Sequence, residues 1–138
     1  MWVLDTSVAV KWFFTDEPDH VKSKDVLDRL VQSPDEFAVP VLFFFELTAT
    51  LIRKSRFDKK FARDTLKSIY QLGIPTLEMG EGLTREAIST ACRYHISYYD
   101  SLFVVLAESL KGRWLTSDGK ALKKLPAGTG LHLSDFSS

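Results

Sequence analysis

The sequence holds a single cysteine, Cys92, so no internal disulfide can form, and its histidines, His20, His95 and His132, are scattered along the chain. These shortages leave no Cys/His ligand cluster of the kind zinc takes. No Gly-x-Ser-x-Gly turn is present, which together with the dispersed histidines argues against a serine-hydrolase triad. No apolar run reaches membrane-spanning length. Strand-like sequence from Trp2 onward leaves no space for a basic n-region and an apolar h-region, so the expected compartment is the cytosol. Net charge is missing too: 18 basic and 18 acidic residues cancel, and no overall field steers the protein onto nucleic acid or membrane. Cys92 lies in a pattern, Leu83, Ala87, Ile88, Ala91 and Cys92, that reads as the apolar side of a helix. It is therefore expected to be a small buried hydrophobe rather than a nucleophile.

What is present is apolar content, 45% of 138 residues, enough for one ordinary domain spanning 1–138 with a real core. Charge is segregated along it. Asp16, Glu17, Asp19, Asp25, Asp28, Asp35 and Glu36 dominate one stretch. Arg53, Lys54, Arg56, Lys59, Lys60, Arg63 and Lys67 dominate a later one.

Taken in order, Trp2-Val3-Leu4 is a short apolar strand ending on Asp5, and Val8, Ala9, Trp12 and Phe13 continue as a helix. Val26, Leu27, Leu30 and Val31 mark a second helix that stops near Ser33-Pro34-Asp35. Phe37-Ala38-Val39 with Pro40 is a second strand. Val41 to Ile52 is an apolar helix containing Phe43, Phe44 and Phe45 and interrupted by Glu46. A helix capped at Asp58 and ended by Gly73 follows, then a weak strand at Pro75 to Glu78 and the helix Leu83 to Ile96. Asp100 to Lys111 is apolar on every side and predicts a helix buried all round, ended by Gly112. Arg113 to Thr116 is a fourth strand, Ser117 to Leu125 a short basic helix, and Leu131-His132-Leu133 a fifth strand. Short apolar strands alternating with helices argue for an α/β protein with a central, mostly parallel sheet of four to five strands and helices on both faces.

Four acids are singled out by position. Asp5 and Asp118 follow strands, Asp100 opens the buried helix, and Glu46 lies inside an apolar one. Each has an ordinary alternative: Asp5, Asp100 and Asp118 are typical helix N-caps, and Glu46 fits a solvated stripe with Thr50 and Arg53. The carboxyl edge of a parallel sheet nevertheless brings strand-end residues together. Clustered carboxylates repel and raise one another's pKa unless a cation neutralises them. All-oxygen ligands suit Mg²⁺ or Mn²⁺, which can activate a water toward a phosphodiester.

The segments Leu4-Asp5-Thr6-Ser7, Pro40 followed by Glu46, Tyr99-Asp100-Ser101-Leu102 with the apolar run to Ala107, and Leu115-Thr116-Ser117-Asp118 together resemble the PIN-domain ribonucleases. The likeness is nearest to the small VapC-like toxins of toxin–antitoxin pairs and spans Val3 to Leu133. It implies a three-layer α/β/α sandwich and an Mg²⁺-dependent endoribonuclease. Asp5, Glu46, Asp100 and Asp118 map onto the family's acidic quartet, with Asp5, Asp100 and Asp118 on the metal and Ser7 and Thr116 at its small hydroxyl positions. It further implies a homodimer silenced by a protein antitoxin. The Phe43-Phe44-Phe45 triplet is a looser match, and any ring left exposed there is a candidate antitoxin or dimer surface.

For RNA backbone contact the sequence offers Arg53, Lys54, Arg56, Lys59 and Lys60, and Lys120, Lys123 and Lys124 after Asp118. A solvated helix face explains the first group equally well. Tyr98 and Tyr99 either stack a base beside Asp100 or pack locally. The competing readings are a PIN-type RNA-processing nuclease that is not a toxin, a receiver-like phosphoacceptor domain, and a non-catalytic module. Receivers carry paired acids after the first strand and a late lysine, where this chain has Thr6-Ser7 and Asp118. A non-catalytic module is expected to have lost at least one of the four acids.

Overall fold

The computed structural model describes residues 1–137. Its elements are β1 (Trp2–Leu4), α1 (Thr6–Val10), α2 (His20–Gln32), β2 (Phe37–Pro40), α3 (Leu42–Lys54) and α4 (Lys59–Gln71). They continue as β3 (Thr76–Leu77), α5 (Glu81–Tyr94), α6 (Tyr98–Ser109), β4 (Arg113–Thr116), α7 (Gly119–Lys124) and β5 (Gly130–His132). Five strands form one sheet in the order β3-β2-β1-β4-β5, every pair parallel. From β1 the chain steps to β2 and β3 on one side, then crosses back over β1 to β4 and β5. Right-handed crossovers therefore put α1 to α4 on one face and α5 and α6 on the other. The packing agrees: α6 lies on β1, β2 and β4, while α1 packs on α3. The result is the three-layer α/β/α arrangement expected from the sequence, with a sheet that is wholly parallel.

The strand order removes the receiver reading. Flavodoxin-type sheets, which receivers share, run 2-1-3-4-5; here β1 lies between β2 and β4. In register, Trp2, Val3 and Leu4 of β1 pair with Arg113, Trp114 and Leu115 of β4. Covered on both faces, these strands read as continuous apolar runs, and Val3, Leu4, Val39, Trp114 and Leu115 are wholly buried. Every residue from Ser101 to Ala107 of α6 is buried, as its all-round apolar sequence demands. Among the described residues no helix is long and apolar enough to cross a membrane.

Three details depart from expectation. Helix α1 ends at Val10, so Trp12 and Phe13 lie beyond it. Helix α6 ends at Ser109, before Gly112. Lys111 takes the left-handed conformation (φ 54°), and Gly112 is required because a Cβ there would meet the Met1 carbonyl at 2.4 Å. Cys92 is exposed, as is Ile88, because α5 turns Ala87 and Thr90 inward instead. That face packs on α6, already apolar on every side, so a narrow stripe suffices to cover it.

Candidate active site

Between β1 and β4 the chain direction across the sheet reverses, and in open α/β sheets the crevice at that switch point is where ligands bind. A cavity of about 520 Å³ opens there, and Asp5, Glu46, Asp100 and Asp118 all line it. Four elements deliver them: the end of β1, the second turn of α3, the first turn of α6 and the loop after β4. Thr50 and Arg53 line the cavity as well. The stripe of Glu46, Thr50 and Arg53 that reads as solvated in the sequence is thus the face α3 turns to the cavity.

Asp5 is only 7% exposed and densely held. Its Oδ2 accepts from the Ser7 amide (3.2 Å), the Ser7 hydroxyl and the Thr116 hydroxyl (3.2 Å), and its Oδ1 from Trp114 Nε1 (3.3 Å). The same hydroxyls reach onward. Ser7 Oγ accepts from the Ser117 amide (3.1 Å) and Thr116 Oγ1 from the Asp118 amide (3.1 Å). Ser7 and Thr116 thereby tie Asp5 to the turn that carries Asp118. Asp5 caps α1, and Asp118 caps α7 by accepting from the Ala121 amide (3.0 Å). Asp100 is no cap. Ser97 takes that position, accepting from the Asp100 amide (3.0 Å), and frees the Asp100 carboxylate for the cavity.

Burial is the leading cause of a raised pKa at Asp5. Burial, then the charge of Asp5, pushes Glu46 up to about 7, opposed by a hydrogen bond from Thr6 Oγ1 (3.1 Å) and aided by Asp100. Burial followed by the charges of Asp5 and Asp118 raises Asp100 to about 6. Among the described residues no cation forms an ion pair with these groups, and their oxygens are the donors a hard divalent cation takes. Among the described residues, no three His, Cys, Asp or Glu side chains are drawn together tightly enough to enclose a metal ion. The donor chemistry still fits Mg²⁺, which keeps several waters and needs only one or two carboxylates directly.

Of the basic candidates, Arg53 and Lys54 line the cavity; Arg56, Lys59, Lys60, Lys120, Lys123 and Lys124 do not. Lys60 pairs with Asp64 and Lys124 with the His95 carbonyl. Tyr98 and Tyr99 are exposed beside Asp100 but outside the lining. Phe43 and Phe44 are core, and Phe45 is 65% exposed. Sequence reasoning missed Thr6, Lys11, Glu17 and Trp114. A lysine inside the apolar run Val8 to Phe14 was the one available signal.

Fold and cavity define a doubly wound α/β protein with an acidic switch-point cavity. The chain belongs to the PIN domain family, whose model matches residues 2–127. No curated protein matches it. Among solved structures it is similar to PAE2754 from Pyrobaculum aerophilum, 18% identical, with 96% of this chain and 89% of that one covered and a TM-score of 0.72. It is also similar to VapC20 of Mycobacterium tuberculosis, a sarcin-ricin loop cleaving toxin, at 17% identity, 89% and 94% coverage and a TM-score of 0.71. A toxin–antitoxin complex from Klebsiella pneumoniae contains a third such chain, at 12% identity, 96% and 98% coverage and a TM-score of 0.68. At these identities the likeness speaks for the fold alone.

Proposed function

We propose that this protein is a divalent-metal-dependent endoribonuclease that hydrolyses RNA phosphodiester bonds and acts as the toxin of a toxin–antitoxin pair. The observation that carries the reading is the convergence of Asp5, Glu46, Asp100 and Asp118 in one cavity at the switch point. Asp5, Asp100 and Asp118 would hold Mg²⁺, directly or through the waters it keeps, with Mn²⁺ as a substitute. A bound cation would supply Lewis-acid stabilisation of phosphate charge and would lower the pKa of a water bound to it. Glu46, whose carboxyl burial raises to about 7, would be suited to accept a proton from a water in the cavity. Ser7 and Thr116 hold the Asp5 carboxylate in one orientation.

The toxin assignment draws support from the structural relatives that are toxins or were solved with an antitoxin. An antitoxin covering the cavity, a homodimer and a cytoplasmic location belong to the same reading. A PIN-type RNA-processing nuclease would share the site, so the biological role needs its own test.

Purified protein should cleave single-stranded RNA with Mg²⁺ or Mn²⁺ and stop on chelation. Asp5→Asn should be inactive with an unchanged circular dichroism spectrum. Equal cleavage by Asp5→Asn and the parent protein would overturn the mechanism. Expression in bacteria should arrest growth with the parent and not with Asp5→Asn; growth unaffected by the parent would favour RNA processing.

A further inference from the structure

The cavity has a second wall of opposite sign: Lys11, Arg53 and Lys54 line it together with Glu17. Lys11 is a cation only 7% exposed, its stem laid into the core beside α1 and its ammonium 3.6 Å from Glu17 Oε2. Lys54 Nζ reaches Glu17 Oε1 at 2.5 Å and lies 5.0 Å from the centre of the Phe14 ring. Hydrogen bonding and charge from Lys54, then the charge of Lys11, hold the Glu17 carboxyl below its ordinary range, so Glu17 is an anion shared by two lysines. Arg53, one residue before Lys54, makes no ion pair among the described residues.

Positive charge is therefore in surplus on this wall. None of the three cations makes an ion pair with Asp5, Glu46, Asp100 or Asp118 among the described residues. A structural clamp on Glu17 would need one lysine, and desolvating a second is costly. A lysine ammonium has three donors, so each retains capacity for a further anion after meeting Glu17.

We propose that Lys11, Arg53 and Lys54 form a phosphate subsite that seats the RNA backbone next to the scissile bond, with Glu17 as the positioning residue that aims both ammoniums into the cavity. The inference rests on the nuclease reading. It directs the strand across the α1–α3 side of the cavity, away from α7 and from the outer part of the basic stretch at Arg56 to Lys60.

The test is binding of a fluorescein-labelled single-stranded RNA oligonucleotide to protein carrying Asp5→Asn, followed by anisotropy across a KCl series. Lys11→Gln and Lys54→Gln should each lower the slope of log affinity against log salt by about 0.7. Glu17→Gln, which keeps one acceptor where the two ammoniums use two, should weaken binding if Glu17 aims them, and binding equal to or tighter than the parent's would overturn that positioning role. With Asp5 intact, the lysine variants should raise KM and leave kcat nearly unchanged, and Lys54→Arg should restore the parent slope. If Lys11→Gln fails to fold, Arg53→Gln and Lys54→Gln decide the matter from the half-exposed end of α3. Unchanged salt slopes with a lowered melting temperature would make the cluster a clamp and overturn the subsite while leaving the nuclease standing. A parent protein that neither binds nor cleaves RNA would overturn both.

Discussion

The acids at the strand ends and the acids on the helices reach the same cavity under different obligations. Asp5 and Asp118 each cap a helix, and Asp5 also takes donors from two hydroxyls and an indole. Glu46 receives one hydroxyl, from Thr6, and Asp100 leaves the capping of α6 to Ser97. The strand-end pair therefore contributes to the fold while facing the cavity. Burial outweighs the donors at Asp5 and raises its pKa too, but the helix pair carries the same cost with fewer donors and no capping role, at pKa values of about 7 and about 6. Caps and hydroxyl donors offset part of the cost of burying a carboxylate, and a carboxylate with few of them leaves more of that cost to the fold.

The sharpest way to break this comparison is to remove one acid from each pair. Asp118→Ala and Asp100→Ala should both reduce RNA cleavage by about 10²-fold or more, the scale of losing one group that stabilises transition-state charge. Their melting temperatures in metal-free buffer at pH 8 should move in opposite directions. Asp118→Ala loses a cap worth about 1 kcal/mol, roughly 3–5 °C for a chain of this size. Asp100→Ala should gain a comparable amount after allowance for solvent screening. A fall with Asp100→Ala would return it to a structural role.

A smaller effect is the pH dependence of the metal-free protein. Asp100 and Glu46 have folded pKa values above their ordinary ones, so the folded state binds their protons more tightly. The stability this confers is fully present below about pH 4 and is lost as pH rises through about 6 for Asp100 and about 7 for Glu46. Thermal stabilisation by Mg²⁺ or Mn²⁺ should accordingly be several degrees larger at pH 8 than at pH 5, read by scanning calorimetry. Equal shifts at both pH values would place the cation elsewhere.

The smallest effect concerns Thr6. Its hydroxyl favours the ionised form of Glu46. Thr6→Val should raise that pKa and move the rising limb of the kcat against pH profile upward by about half a unit to one unit. An unmoved limb would assign the titration to another group.

The element that organises the fold was legible from its first residues. Trp2-Val3-Leu4 followed by Asp5 carries a buried strand, its end and its acid within four positions, and α6 announces its burial by being apolar all round. Asp58 as the cap of α4 and Gly73 at its left-handed end were equally local, hence readable. What could not be read depends on choices between neighbours or on distant pairing. Ser97 and Asp100 are both good caps, and only the start of α6 at Tyr98 decides between them. Cys92 and Ala87 both fit an apolar stripe, and only the docking of α5 on α6 selects Ala87. Glu17 and Lys54 meet across the fold, and nothing local in either stretch encodes the contact.

The pairing of Trp2 with Arg113 and of Leu4 with Leu115 also has a consequence in time. Parallel partners so distant in the chain close late and slowly, and a ribosome emits residues from the N-terminus at a modest pace. A nascent chain that has already exposed Asp5 and Glu46 still lacks the strand that brings Asp118 beside them. The four acids therefore cannot share one cavity until β4 and the turn carrying Asp118 have been synthesised.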